Sequence, residues 1–180
     1  MLRRNNLCGP KVERAVESGV PRCTIRASRA AGVRARRGTT MECTINWLPG
    51  SGMAFVAETG SGHVLTMDGA PDGGGRNLAP RPMETVLAGT GGCTAYDVVL
   101  ILQRGRHDVR GCQVKLQAQR AETDPKVFTK IHMHFVVSGR ELPEAAVERA
   151  VRMSHEKYCS ASAMLAKTAE MTTSFEVVAA

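Results

Sequence analysis

Two cysteines stand where a thiol has chemistry open to it. Cys93 follows a glycine pair, Gly91-Gly92-Cys93, in the middle of a run with helical spacing. Cys159 lies in Lys157-Tyr158-Cys159-Ser160, within a second helical run rich in alanine and methionine. A thiolate is a nucleophile, a reductant and a metal ligand, and a nearby cation or a helix terminus is what makes one. His155 and Lys157 lie close to Cys159 in sequence, and His155, four positions before it, shares its face of a helix. Asp97, one turn after Cys93, acts in the opposite sense, because a neighbouring carboxylate disfavours a thiolate. A capping or core hydrogen-bonding role suits Asp97 equally well. Taken singly, each cysteine reads first as a packing residue, since free cysteine is among the most buried side chains.

Other constellations are weaker. His132 and His134 share one face of a strand, a spacing that could hold a metal, but no third ligand accompanies them and a solvated face is the simpler reading. No Cys-x-x-Cys pair occurs, so zinc-ribbon and thioredoxin-type motifs are unsupported. The three glycines Gly73-Gly74-Gly75 are not followed by the Lys-Ser/Thr of a phosphate-binding loop. The net charge of +7 suggests nucleic acid until it is divided. Residues 1–40 carry net +8 and the remaining 140 carry net −1, so the folded part has no basic footprint and no nucleic-acid partner is expected.

The elements that must position the thiols follow from periodicity. Residues 1–40 lack an apolar period and read as a disordered basic extension, with Met41 as the natural start or, alternatively, with a basic targeting or interaction tail before it. Residues 41–180 then form one domain. Cys43 to Trp47, Met53 to Glu58 and His63 to Met67 alternate as strands separated by Gly-rich turns, a β-meander. Asp68 to Asn77 reads as a flexible loop. Pro80 to Gln103 is a helix opened by prolines, with Met83, Val86, Leu87, Thr90, Cys93, Thr94 and Val98 at helical spacing. Val98 to Leu102 is apolar all round, which predicts burial on every side. The glycine pair costs the helix about 1 kcal/mol per residue and permits a close neighbour. Arg104-Gly105-Arg106 ends it.

Cys112 to Arg120 and Val127 to Val137 alternate and meet at Asp124-Pro125 as a hairpin, with Ile131, Met133 and Phe135 inward. Leu142-Pro143-Glu144 opens a further helix, a second helical run carries Cys159, and Thr172 to Val178 is a last strand. The order βββ–α–ββ–αα–β indicates an antiparallel α+β fold. No window is read as reaching the length of a membrane-spanning helix, and no secretory leader is evident over residues 1–30. The expected setting is therefore cytoplasmic, away from a membrane, where a static disulfide framework of the six cysteines is not expected.

Assembled, these residues resemble the OsmC/Ohr family of thiol-dependent hydroperoxide reductases, and within it the YhfA-like branch. The resemblance runs from about Met41 to the C-terminus. It is carried by Met67-Asp68-Gly69, by Pro82-Met83-Glu84 leading into Gly91-Gly92-Cys93, by Ile101 to Arg106, by Glu156 to Ser160 and by the strand Phe175 to Val178. The resemblance implies an intertwined homodimer whose antiparallel sheets wrap around two long cysteine-bearing helices. It implies Cys93 as peroxidatic cysteine, Cys159 as resolving cysteine and Glu84 as a supporting catalytic carboxylate. It further implies an organic hydroperoxide as substrate, a dithiol or lipoylated protein as reductant, and neither metal nor organic cofactor. Two positions differ from the family pattern. The meander from Thr44 to Met67 has no arginine, leaving Arg76 and Arg81 in the following loop, and Glu84 lies nine residues before the cysteine rather than ten. A second reading stays open beside the first: a redox-sensing or apolar-ligand-binding module on the same fold, with little or no turnover.

Overall fold

Strict alternation builds the first sheet. Strands β1 (Cys43–Trp47), β2 (Phe55–Thr59) and β3 (Val64–Met67) form an antiparallel meander in the order β1-β2-β3, with Ile45 opposite Ala57 and Ala57 opposite Leu65. These positions belong to a computed structural model that describes residues 40–180, and Met41–Ala180 form one unit in it. The expected basic extension lies, apart from Thr40, outside the described residues.

Between the meander and the long helix runs a segment read from its glycines as a flexible loop. The structure shows it folded back on a buried carboxylate. Asp68 accepts hydrogen bonds from the backbone N–H groups of Gly69 (2.7 Å), Arg76 (3.0 Å) and Leu78 (3.0 Å). Those bonds, led by the one from Leu78, hold its pKa below the ordinary carboxyl value of 3.8.

Helix α1 (Pro82–Arg104) starts with proline at its first position, where the missing N–H costs nothing. Its buried stripe is Thr90, Thr94, Val98 and Leu102, one residue every four. Gly91 is buried beside the stripe because a Cβ there would stand 2.7 Å from Leu116 Cδ1 of the neighbouring strand. The sequence predicted such an approach. It did not predict that the other side of the second half stays open: Val99, Leu100 and Ile101 are only half-buried and Tyr96 is 69% exposed.

The second sheet holds the core. Strands β4 (Asp108–Arg120) and β5 (Phe128–Arg140) pair antiparallel as expected, and β6 (Glu170–Ala179) joins β5. This last pairing is parallel, which corrects the expectation of a wholly antiparallel fold. The chain leaves β5, crosses through two helices and returns, and a crossover of that kind delivers a parallel neighbour. Ile131, Met133, Phe135 and Val137 alternate inward from β5 against Val98 and Leu102 of α1 and Val147, Ala150 and Val151 of α2 (Glu144–Met153). Burial stabilises by roughly 1.5–3 kcal/mol for each large apolar side chain.

A further correction concerns the second cysteine. It does not lie inside a long helix. After α2 the chain makes a π-helical turn, Ser154–Tyr158, and the helix that follows, α3, covers only Ser160–Leu165. Cys159 stands between them in extended conformation (φ −71°, ψ 101°).

One helix among the described residues, α1, is long and apolar enough to cross a membrane, against the expectation that no window reaches that length. Length and composition alone give that match. In the fold, the helix lies on β4 and α2 with Val98 and Leu102 in the shared core, and 28% of its apolar window is buried.

Candidate active site: a thiol pair and a carboxylate

Helix α1 presents Cys93 and, one turn on, Asp97. The break between the π-helical turn and α3 presents Cys159. The two sulfurs and a carboxylate oxygen of Asp97 all lie within 4.8 Å of one another. Cys159 is buried, whereas Cys93 and Asp97 are half-buried, so the cluster reaches solvent on the α1 side.

What holds it together is a polar contact set in the apolar core. Ser154, fully buried, shares a 2.8 Å hydrogen bond with Thr94 Oγ1 and lies 3.3 Å from Asp97 Oδ2. The hydroxyl therefore fastens the π-helical turn to α1 at the level of Cys93. The turn closes on itself through the Cys159 N–H, which donates to Ser154 O (2.8 Å). Cys159 Sγ accepts from Ser162 N (3.4 Å), capping the first turn of α3. Residues 154 to 159 thus adopt i→i−5 spacing, and the helical face expected to join His155 to Cys159 does not form. His155 Nδ1 is buried without a hydrogen-bond partner, and Lys157 is exposed with Nζ 5.5 Å from the centre of the Tyr158 ring.

Electrostatics at Cys93 favour the neutral thiol. Burial pushes its pKa above the ordinary thiol value of 9.0; the Ala161 backbone N–H opposes this, while the Cys159 thiol and the Asp97 charge add to it. Asp97 therefore acts as the sequence suggested it would if close. Among the described residues no cation contributes at Cys93.

The other expected site residues fall elsewhere. Glu84 is exposed in the first turn of α1, where its Oε2 accepts from the Arg81 backbone N–H (2.9 Å). Nine residues of helix, about 14 Å of rise, separate it from Cys93. Within the chain Glu84 does not reach Cys93; it caps the helix, its side chain reaching back to an orphan donor. Arg76 donates through Nη2 to Gly50 O (3.1 Å), tying the loop to the meander. The nitrogens of His132 and His134 are taken up by Thr172 and Ser174 at 2.8–2.9 Å, with Glu176 Oε1 3.6 Å from His134 Nε2, so the pair links strands instead of converging on one point. Sequence reasoning placed Thr94 and Ser154 on the stripes of their helical patterns and missed that they pair. Both are small polar residues at core positions of their helical patterns, and that was the one available signal.

Residues 73–174 match the family model described as OsmC-like protein. The chain belongs to the OsmC family. It is 51% identical to Protein YhfA of Escherichia coli K12 over 140 residues, which is 78% of this chain and all of that protein. A hypothetical protein from Aquifex aeolicus, solved by crystallography, is 29% identical with a TM-score of 0.68, covering 79% of this chain and 99% of that one. An organic hydroperoxide resistance protein OsmC from Legionella pneumophila shares the fold at 19% identity and a TM-score of 0.59, over 77% and 97% of the two chains. The family's fold is α+β, with two sheets and helices. Some of its structural neighbours are named for organic hydroperoxide resistance.

Proposed function

We propose that the protein reduces organic hydroperoxides through Cys93 and Cys159. The observation that carries the reading is the placement of two thiols from distant parts of the chain within 4.8 Å of each other. The Cys93 thiolate attacks the O–O bond; sulfur is oxidised to sulfenic acid and the peroxide leaves as an alcohol. Cys159 then attacks that sulfur, water leaves and a disulfide forms. A dithiol, free or as a lipoylated protein, returns both sulfurs to thiols by exchange and is itself oxidised to a disulfide. The half-exposed Cys93 receives the peroxide and the buried Cys159 resolves. Glu84 supports the cycle from a distance, by fixing the first turn of the helix that carries Cys93.

The unit of this chemistry is a homodimer. Ile45 (54%), Trp47 (53%) and Leu65 (39%) lie exposed on one face of the meander, and Tyr96 lies exposed on α1. Apolar area of that extent, on a sheet face with no cover among the described residues, fits a second copy of the chain. A groove of about 360 Å³ beside Gly92, Tyr96, Val99 and Leu100 would complete an apolar approach for the substrate.

The raised Cys93 pKa favours a second reading. With no cation of the described residues at the thiol, turnover is slow and the same groove serves a redox-sensing or apolar-ligand-binding module. Intact-mass and peptide mapping after one equivalent of cumene hydroperoxide separates the two. Rapid formation of a Cys93–Cys159 disulfide, with Cys159→Ser stalling as a sulfenic acid on Cys93, supports the reductase. Survival of both thiols except in large peroxide excess supports the module.

A further inference from the structure

Two thiols and a carboxylate oxygen within 4.8 Å of one another also make a ligand set. We propose that Cys93, Cys159 and Asp97 bind one thiophilic divalent cation of the Zn²⁺ and Cd²⁺ class, and that the bound ion shields both thiols from oxidation.

Donor chemistry and spacing support this. Thiolates select zinc-like ions, and one or two carboxylate or imidazole ligands commonly complete such sites. Around a tetrahedral zinc with Zn–S near 2.3 Å, two sulfurs stand about 3.8 Å apart. The three side chains therefore need only small rotations about their own bonds to meet on one ion. They come from rigid neighbours: Cys93 and Asp97 are one turn apart on α1, and Cys159 is fixed by the Ser162 N–H. Ser154 lies 3.3 Å from Asp97 Oδ2, so a buried hydroxyl orients the carboxylate from behind, the arrangement that commonly fixes metal ligands. Because Cys93 and Asp97 are half-buried, a fourth position faces solvent and takes water. Binding is charge-balanced: each thiol loses its proton to solvent, and the ion holds two thiolates and one carboxylate. Nothing is oxidised.

The binding stands independently of the hydroperoxide reading; only the blocking of oxidation rests on it. The test uses the reduced full chain with Cd²⁺ as probe, followed by sulfur-to-cadmium charge-transfer absorption. One ion per chain is expected, weakened at least tenfold in Cys93→Ser and in Cys159→Ser and about tenfold in Asp97→Asn. Binding in Cys43→Ser and Cys112→Ser should equal that of the parent. In the unaltered chain, Cd²⁺ should protect Cys93 and Cys159 from iodoacetamide while the other cysteines are labelled, a measurement that needs no variant to fold. Equal labelling of all cysteines with and without Cd²⁺, or binding undiminished in both serine variants, overturns the site. With cumene hydroperoxide, saturating Cd²⁺ should slow oxidation of Cys93 at least tenfold. If Cd²⁺ protects both thiols in a chain that never reacts with the peroxide, the reductase reading fails and the metal site stands. If peroxide oxidises Cys93 and Cd²⁺ protects nothing, the reverse holds.

Discussion

At the scale of single residues, Cys93 sets the terms. Burial, the Cys159 thiol and the Asp97 charge all favour its protonated form. Its alkylation by iodoacetamide should therefore climb with pH only above the ordinary thiol range, and Asp97→Asn should shift that profile downward, raising the rate at pH 8. A profile unmoved by Asp97→Asn would remove the carboxylate from the account. The sign for stability follows from the same shift. A thiol with a raised folded pKa favours the fold while protonated, and that contribution is lost as the pH rises from about 9 through the folded value. Ser154 is the second residue of consequence. Ser154→Ala leaves Thr94 Oγ1 without its buried partner, at about 1–3 kcal/mol. It also loosens the turn before Cys159, so denaturant melts should show the loss of stability and disulfide formation should slow. The cysteines were legible from residue type, although the helical context expected of Cys159 is a break between helices. Ser154 was not, because a serine in a helical stripe is ambiguous until its partner sixty residues away is known.

At the scale of elements, Gly91 and Asp68 show how far pattern reading reaches. The glycine pair announced a close neighbour, and only packing revealed that Gly91 meets Leu116 while nothing stands within 4 Å of a Cβ at Gly92. Gly91→Val should therefore overpack α1 against β4, lowering stability by about 1–3 kcal/mol. A Leu116→Ala background should return part of that loss, and a double-mutant cycle with no coupling would contradict the contact. The loop after the meander was misread because glycine content signals turns without revealing a buried acceptor. Asp68 organises it, and its depressed pKa gives a testable sign. Its contribution is complete at neutral pH and is lost as the pH falls below 3.8 through the lower folded value. Asp68→Asn should lower stability at pH 7 and flatten the acid limb of the melting profile. The π-helical turn escaped notice for a related reason. Its sequence, Ser154 to Tyr158, is compatible with an ordinary helix, and the extra residue becomes necessary only to carry Cys159 to Cys93.

At the scale of the whole molecule, the meander and the hairpin were legible, and the place and direction of β6 were not. Alternation in β4, β5 and β6 specifies strands, whereas parallel pairing follows from the crossover through α2 and α3, a long-range consequence no local period encodes. The same limit applies to the open apolar surface. Ile45, Trp47 and Leu65 share one face of the meander and find no cover among the described residues. Helix α1 adds Val86 and Tyr96 to the apolar exposure. A monomer carrying both surfaces would expose more contiguous apolar area than soluble monomers usually do. Sedimentation equilibrium should therefore report twice the mass of the chain at micromolar concentration. Ile45→Glu should weaken association by at least tenfold, since a charge on the apolar face of the meander, opposite Ala57, has no partner there. Its effect on Cys93 oxidation then separates two architectures. If monomeric Ile45→Glu reacts with hydroperoxide as fast as the parent, the thiol pair is complete in one chain and the second copy serves stability alone. If reaction falls along with association while the two thiols still form a disulfide with a small oxidant, the partner shapes the approach to Cys93, and the groove beside Gly92 becomes a substrate channel only in the dimer.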